Sequence, residues 1–184
     1  NAIYQLHNTD LPRMRGGASY SWMIMSEERN AATTLFKVDA GIDTGNIVLS
    51  NKYRFPDRCR KPEDFDNYAL EKTVEDICNF IRNELRNKEM IVETPQNEKE
   101  STYFPRLKSK VHGCINWAWS CSEIITFINA FDDPYSGAFT RTSRTDTKIY
   151  IKNAKKNNDK NIFHPFQAGL IYRIEDEYIN VCAG

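Results

Sequence analysis

This chain is most informative first for what it has little of. It has no excess of either charge: 25 basic residues balance 25 acidic ones. A surface that grips nucleic acid over a wide area usually shows a basic surplus, so the balance argues against that class while leaving room for small anions. The five cysteines, Cys59, Cys78, Cys114, Cys121 and Cys182, form no C-x-x-C pair. Neither a zinc site nor a disulfide framework follows from that spacing, and reduced thiols in a cytoplasmic protein are expected. No signal peptide and no apolar run near the ~20 residues of a membrane span occurs. The remainder, with 40% hydrophobic and 27% charged residues over 184 positions, can bury a core and does not read as disordered.

Both ends read as strands, at Asn-Ala-Ile-Tyr-Gln-Leu-His and Tyr-Ile-Asn-Val-Cys-Ala-Gly, and look cut from something longer. Between them the pattern changes once. Residues 2–6 are a short apolar run expected to be a buried strand. A loop with Asn8, Pro12, Gly16 and Gly17 follows, then a short helix over about 18–28. Strands are expected around Thr33–Val38 and over Asn46–Phe55. Pro62, Glu63 and Asp64 suit a helix start. Phe65, Ala69, Thr73, Ile77 and Ile81, widened by Phe80 and Leu85, give that helix an apolar stripe expected to pack in the core as far as about Asn87. Residues 93–101 are polar and read as a linker. Beyond it, Ser120-Cys-Ser-Glu123 has capping-box spacing ahead of an apolar helix. Short β-rich runs occupy 137–141, 148–152, 168–174 and 178–182. The boundary falls between segments 1–104 and 105–184.

Two loops carry the chemistry. Gln5-Leu-His7-Asn-Thr-Asp-Leu-Pro-Arg-Met-Arg-Gly16 puts a histidine at the carboxyl end of a strand, where open α/β sheets place ligand sites. Gln5, two residues back, shares the face of His7, so an amide and an imidazole address one pocket. Asp39-Ala-Gly-Ile-Asp43-Thr-Gly45 also follows a strand, and its glycines permit close backbone approach to a ligand. A carboxylate there can orient the imidazole. Alone, this second loop reads equally as a simple Asx turn or a calcium-like loop, though not as an EF-hand.

Together the loops resemble the 10-formyltetrahydrofolate-dependent formyltransferases. His7-Asn-Thr-Asp-Leu-Pro-Arg-Met-Arg-Gly is similar to that family's N-x-H-x-S-L-L-P-x-x-R-G, and Val38-Asp-Ala-Gly-Ile-Asp-Thr-Gly-Asn-Ile to its M-D-x-G-x-D-T-G-D-I. His7 and Asp43 lie 36 residues apart, the family's usual separation. Tyr103-Phe-Pro-Arg106, Ile115-Asn-Trp117 and Asp133–Thr140 resemble the joint and following region of methionyl-tRNA and aminoarabinose formyltransferases.

The resemblance implies an α/β fold: the C-terminal part of a Rossmann-like catalytic domain, then a small β-rich, open-barrel-like domain. It implies formyl transfer from N10-formyltetrahydrofolate to a primary amine, with no metal. It implies catalytic roles for Gln5, His7 and Asp43, with the family's asparagine replaced by Gln5. The folate is expected along Thr9, Asp10, Leu11 and Pro12 and along Asp39, Ala40, Gly41, Ile42 and Asp43. The neutral charge favours a nucleotide-linked amino sugar as acceptor over methionyl-tRNA. No membrane partner is expected, and the protein could pair as a homodimer. A formyltetrahydrofolate hydrolase shares the same core. The rival reading is a degenerate, non-catalytic binding module. Trp117 and Trp119 read as packing residues, the Lys155–Lys160 run as solvated surface, and His112 and His164 have no partner that the sequence suggests.

Overall fold

The computed structural model describes residues 2–85, 91–158 and 163–184. The chain divides into two compact units, Asn1–Leu107 and Lys108–Gly184.

The first unit is built on a three-stranded antiparallel sheet in the order β1 (Tyr4–His7), β3 (Asn30–Lys37), β4 (Ile47–Arg54). A two-residue strand β2 (Arg15–Gly16), the helix α1 (Ser19–Met25), the helix α2 (Pro62–Phe80) and a second short strand β5 (Tyr103–Phe104) complete it; β2 and β5 pair in parallel. In the central strand β3, Ala31, Ala32, Thr33, Thr34 and Phe36 are all buried. Both its faces are therefore covered, which suits its small, β-branched and aromatic side chains.

The start of α2 follows its sequence signals. Asp64 accepts hydrogen bonds from the Arg60 and Lys61 backbone amides at 2.8 and 3.1 Å, with Pro62 opening the first turn. The helix anchors on aromatics: the Phe55 and Phe65 rings, both fully buried, have centroids 4.3 Å apart, with Tyr20, Tyr53 and Tyr68 around them.

Three expectations are corrected here. The core stripe of α2 is buried only through its opening turns. Phe65 and Ala69 are buried, whereas Ile81 is exposed and begins a π-helical turn, Ile81–Leu85. Leu70 and Val74, outside the stripe, are exposed as well. The later turns have run past the aromatic cluster that buries the first ones. The expected end near Asn87 lies outside the described residues. Secondly, β1 is not a buried strand: Ile3, Tyr4 and Leu6 are exposed. Among the described residues it is an edge strand, paired on one side with β3. Thirdly, residues 93–101 are not a linker. They are bonded along their length to the loops that carry His7 and Asp43, as described below.

The second unit consists of a short helical turn α3 (Ser109–His112), the helix α4 (Cys121–Ala130) and two antiparallel hairpins. One pairs β6 (Ala138–Arg141) with β7 (Lys148–Ile151); the other pairs β8 (Ile171–Ile174) with β9 (Ile179–Val181). The capping box forms, with the Ser120 hydroxyl accepting from the Glu123 amide and the Glu123 carboxylate accepting from the Ser120 amide at 2.9 Å. Ile115, Ile124, Phe127, Ile128, Phe131 and Phe139 are the buried core.

Trp117 and Trp119 pack as expected. Trp117 donates to the Thr140 hydroxyl at 3.0 Å, and the Trp119 ring stands against Phe127. Each remaining histidine has a local partner: His112 accepts from the Lys108 amide and His164 from the Phe166 amide. The Lys155–Lys160 run lies partly outside the described residues; Lys155 itself stands over the Tyr178 ring. All five cysteines are free. Among the described residues no helix is long and apolar enough to cross a membrane.

Candidate active site

His7 ends β1 and Asp43 lies in the β3–β4 connection, and the antiparallel pairing of the three strands brings them together. The His7 Nε2 to Asp43 Oδ2 distance is 4.0 Å, with both side chains largely buried. His7 Nε2 lies 3.2 Å from the Met14 carbonyl. A carbonyl only accepts, so the neutral imidazole carries its proton on Nε2 and leaves Nδ1 bare. Nδ1 has no partner among the described residues. The Asp43 carboxylate accepts from the Gly16 amide at 2.8 Å, which fixes it beside the imidazole. Gly16 sits at φ +98°, and a Cβ there would overlap the Phe104 carbonyl, so the position requires glycine.

The other expected site residues divide by exposure. Gln5 shares the sheet face of His7, pairing in register with Phe36 as His7 does with Thr34. It is exposed, and its amide makes no hydrogen bond among the described residues. Asp10 pairs with Lys52 at 2.8 Å, and Pro12 is half-buried. Thr9 and Leu11 are buried in the loop interior. The Thr9 hydroxyl is directed at the Arg13 and Met14 carbonyls, so its side chain shapes the loop from within instead of lining an open face. Asp39, Ala40, Gly41 and Ile42 are exposed. Asp39 accepts from the Thr44 hydroxyl and the Gly41 amide, the Asx-turn reading of this loop, and those bonds hold its carboxyl below the usual range. Among the described residues no group of three or more His, Cys, Asp or Glu could hold a metal ion.

The loop that carries His7 is tied to the sheet by Thr34, whose hydroxyl donates to the Thr9 carbonyl at 2.7 Å in a fully buried setting. Replacing Thr34 by the isosteric valine removes that bond while Leu11 still donates to the same carbonyl. We expect a loss of about 1 kcal/mol in a urea titration; an unchanged midpoint would show that the bond adds nothing.

The residues not anticipated from sequence lie in the 93–104 strap. Glu93 accepts from Lys37 and Asn46 at 2.8 and 3.2 Å. Thr94 exchanges both backbone hydrogen bonds with Ile47. Gln96 donates to the carbonyls of Asp43 and Gly45 at 2.9 and 2.7 Å. Buried Arg15 donates to Gln96 and to both carboxylate oxygens of Glu98. The Glu98 hydrogen bond outweighs burial and lifts the guanidinium above its ordinary range. Thr102 holds Met14 and Arg15 through its hydroxyl and carbonyl. The only advance signal was the arginine before Gly16, which no role had claimed.

Comparison with known proteins relates this chain to formyltransferases in both sequence and fold. Residues 108–184 match the family described as Formyl transferase, C-terminal domain. The methionyl-tRNA formyltransferase of Acetivibrio thermocellus is 26% identical over 181 residues, covering 97% of this chain and 55% of the relative. The chain thus spans about half the length of the curated relatives it matches. A HypX variant from Aquifex aeolicus superposes with a TM-score of 0.75 at 17% identity, covering 99% of this chain and 31% of the other, a likeness of fold. An N-formyltransferase from Helicobacter canadensis, in complex with folinic acid and dTDP-3-aminofucose, gives 0.54 at 27% identity over 70% of this chain and 47% of its own. These likenesses run through the His7 and Asp43 loops and on into the second unit, so that nearly the whole chain is similar to formyltransferases.

Proposed function

We propose that in the complete protein this site transfers a formyl group from N10-formyltetrahydrofolate to a primary amine. The observation that carries the reading is the meeting of His7 and Asp43 from two separate signature loops, each clamped through its backbone. In the reaction the amine nitrogen attacks the formyl carbon, a C–N bond forms, and negative charge develops on the formyl oxygen. Collapse breaks the bond to N10, which leaves as tetrahydrofolate with a proton. His7, oriented by Asp43, relays that proton from the amine through its bare Nδ1. The Gln5 amide, on the same face, donates to the developing oxyanion. The cofactor lies along the exposed backbone of 39–42, with Asp10 and Pro12 on its other side. The Helicobacter canadensis relative, solved with folinic acid and an amino-sugar nucleotide, supports this assignment of both ligands.

The acceptor is a nucleotide-linked amino sugar on the evidence of the neutral charge. Methionyl-tRNA is a second reading, favoured by one observation: the Acetivibrio thermocellus enzyme matches 97% of the chain, second unit included. The free cysteines fit a reducing, cytoplasmic setting.

The test is tetrahydrofolate release by the full-length protein with several nucleotide-linked amino sugars and with methionyl-tRNA. Turnover with one acceptor establishes reaction and substrate together. Release without any acceptor would mean a hydrolase. Gln5→Asn is expected to lower kcat by about tenfold, because it draws the amide back by one methylene and a displacement of about 1 Å can cost on the order of 100-fold. A higher rate in that variant would instead mark Gln5 as the lesion of a weakened enzyme. Silence from both proteins would favour a non-catalytic binding module.

A further inference from the structure

We infer that Gln96 is a positioning residue of this site: its side-chain amide holds the backbone on either side of the Asp43 carboxylate in the conformation that the carboxylate needs. The inference rests on the proposed reaction for its kinetic readout and on geometry alone for its structural one.

Asp43 occupies the left-handed region at φ 55°. An aspartate pays a conformational cost there and stays only when its surroundings fix it. What fixes it is largely one side chain. Gln96 Nε2 donates to the Asp43 carbonyl at 2.9 Å and to the Gly45 carbonyl at 2.7 Å, so both its N–H groups are used and both ends of the Asp43–Gly45 turn are gripped. Gln96 Oε1 accepts from Arg15 Nε at 3.1 Å and Nη2 at 2.7 Å. Every donor and acceptor of the amide has a partner, and the orientation cannot be reversed: a flipped amide would set its oxygen against two carbonyls and its NH2 against a guanidinium.

Arg15 is locked in turn by Glu98, which takes Nη1 at 2.9 Å and Nη2 at 2.7 Å. Gly16, the residue after Arg15, supplies the amide that holds the Asp43 carboxylate. The path from Glu98 through Arg15 to Gln96 therefore ends on the main chain of Asp43, and its other branch ends on the Asp43 side chain. Gln96 touches no reacting atom in this scheme. Its effect on His7 passes through Asp43.

Two variants separate positioning from general support. Gln96→Met keeps the length and loses all four hydrogen bonds. Gln96→Glu keeps the acceptor for Arg15 and replaces the donors by a carboxylate that faces two carbonyls. In the full-length protein both are expected to lower kcat by about 10- to 100-fold, with KM for the amine acceptor changed less than threefold. A purely structural role would leave kcat per folded molecule unchanged. The second measurement needs no turnover: hydrogen exchange at the Gly16 amide, which reports the Asp43 carboxylate directly. It is expected to accelerate about tenfold or more in both variants, while the amides of the central strand β3 keep their wild-type rates. Unchanged exchange at Gly16, or an equal acceleration throughout the unit, overturns the inference. If the wild-type protein shows no turnover, the reaction reading fails by itself and the exchange experiment still decides the role of Gln96.

Discussion

Replacing His7 by alanine in the full-length protein is expected to lower kcat for formyl transfer by about 10³-fold, roughly 4 kcal/mol of barrier. The imidazole is largely buried, 4.0 Å from Asp43 and turned by the Met14 carbonyl so that Nδ1 is the nitrogen left to take a proton. Gln5 has no basic atom to replace it, and Asp43 Oδ2 is engaged by the Gly16 amide. Circular dichroism of the variant should remain that of the wild type, because the His7 ring contacts only polar groups, the Met14 carbonyl and the Asp43 carboxylate, among the described residues and is not part of the apolar core. Activity within tenfold of wild type would remove His7 from the mechanism. Imidazole added in solution offers a separate check, since partial rescue would require a proton-transfer role.

The second large effect is expected at Gly45, in stability and activity together. A Cβ at this buried position would overlap the Lys37 carbonyl oxygen, and that carbonyl has nowhere to retreat. Lys37 is held to Asn46 by its amide at 2.9 Å and stands opposite Tyr4 in the β1–β3 ladder. Backbone against backbone cannot be relieved by a side-chain rotation, so either the β3–β4 connection opens or the strand end frays. Gly45→Ala is expected to cost about 3 kcal/mol, the upper part of the range for overpacking, measured as the shift of a urea midpoint. The Gly45 carbonyl is also one of the two that Gln96 grips, so the displacement moves Asp43 and turnover should fall further than the folded fraction does. A variant with an unshifted midpoint would show that the turn accommodates the methyl group and that its tightness is incidental.

What could be read in advance, and what could not, follows from how each feature is encoded. His7 and Asp43 were legible because their chemistry is local: a titratable side chain at a strand end, glycines that tighten the loop, and a fixed interval between the two. The helix start at Pro62 and the capping box at Ser120 were legible for the same reason, each being a few residues that satisfy their own backbone. The strap was not. Glu93, Gln96 and Glu98 have no periodicity and are exposed or half-buried, so they look like solvated surface. Their work is done on partners 47 to 83 residues away, a pairing that no local pattern records. The burial of β1 and of the later turns of α2 was misjudged for a related reason. Apolar content marks a surface that can be covered and does not say whether a neighbour covers it.

The uncovered side of β1 has a practical consequence. Among the described residues β1 pairs on one side only, and its other edge, beside exposed Ile3, Tyr4 and Leu6, is a template for adding another strand. His7 closes that same strand. Whatever extended segment settles on the edge, from this protein or another, stiffens the element on which His7 is mounted. Purification that leaves the edge bare invites self-association at high concentration. Colloidal behaviour and the setting of His7 are thus tied to the same short strand.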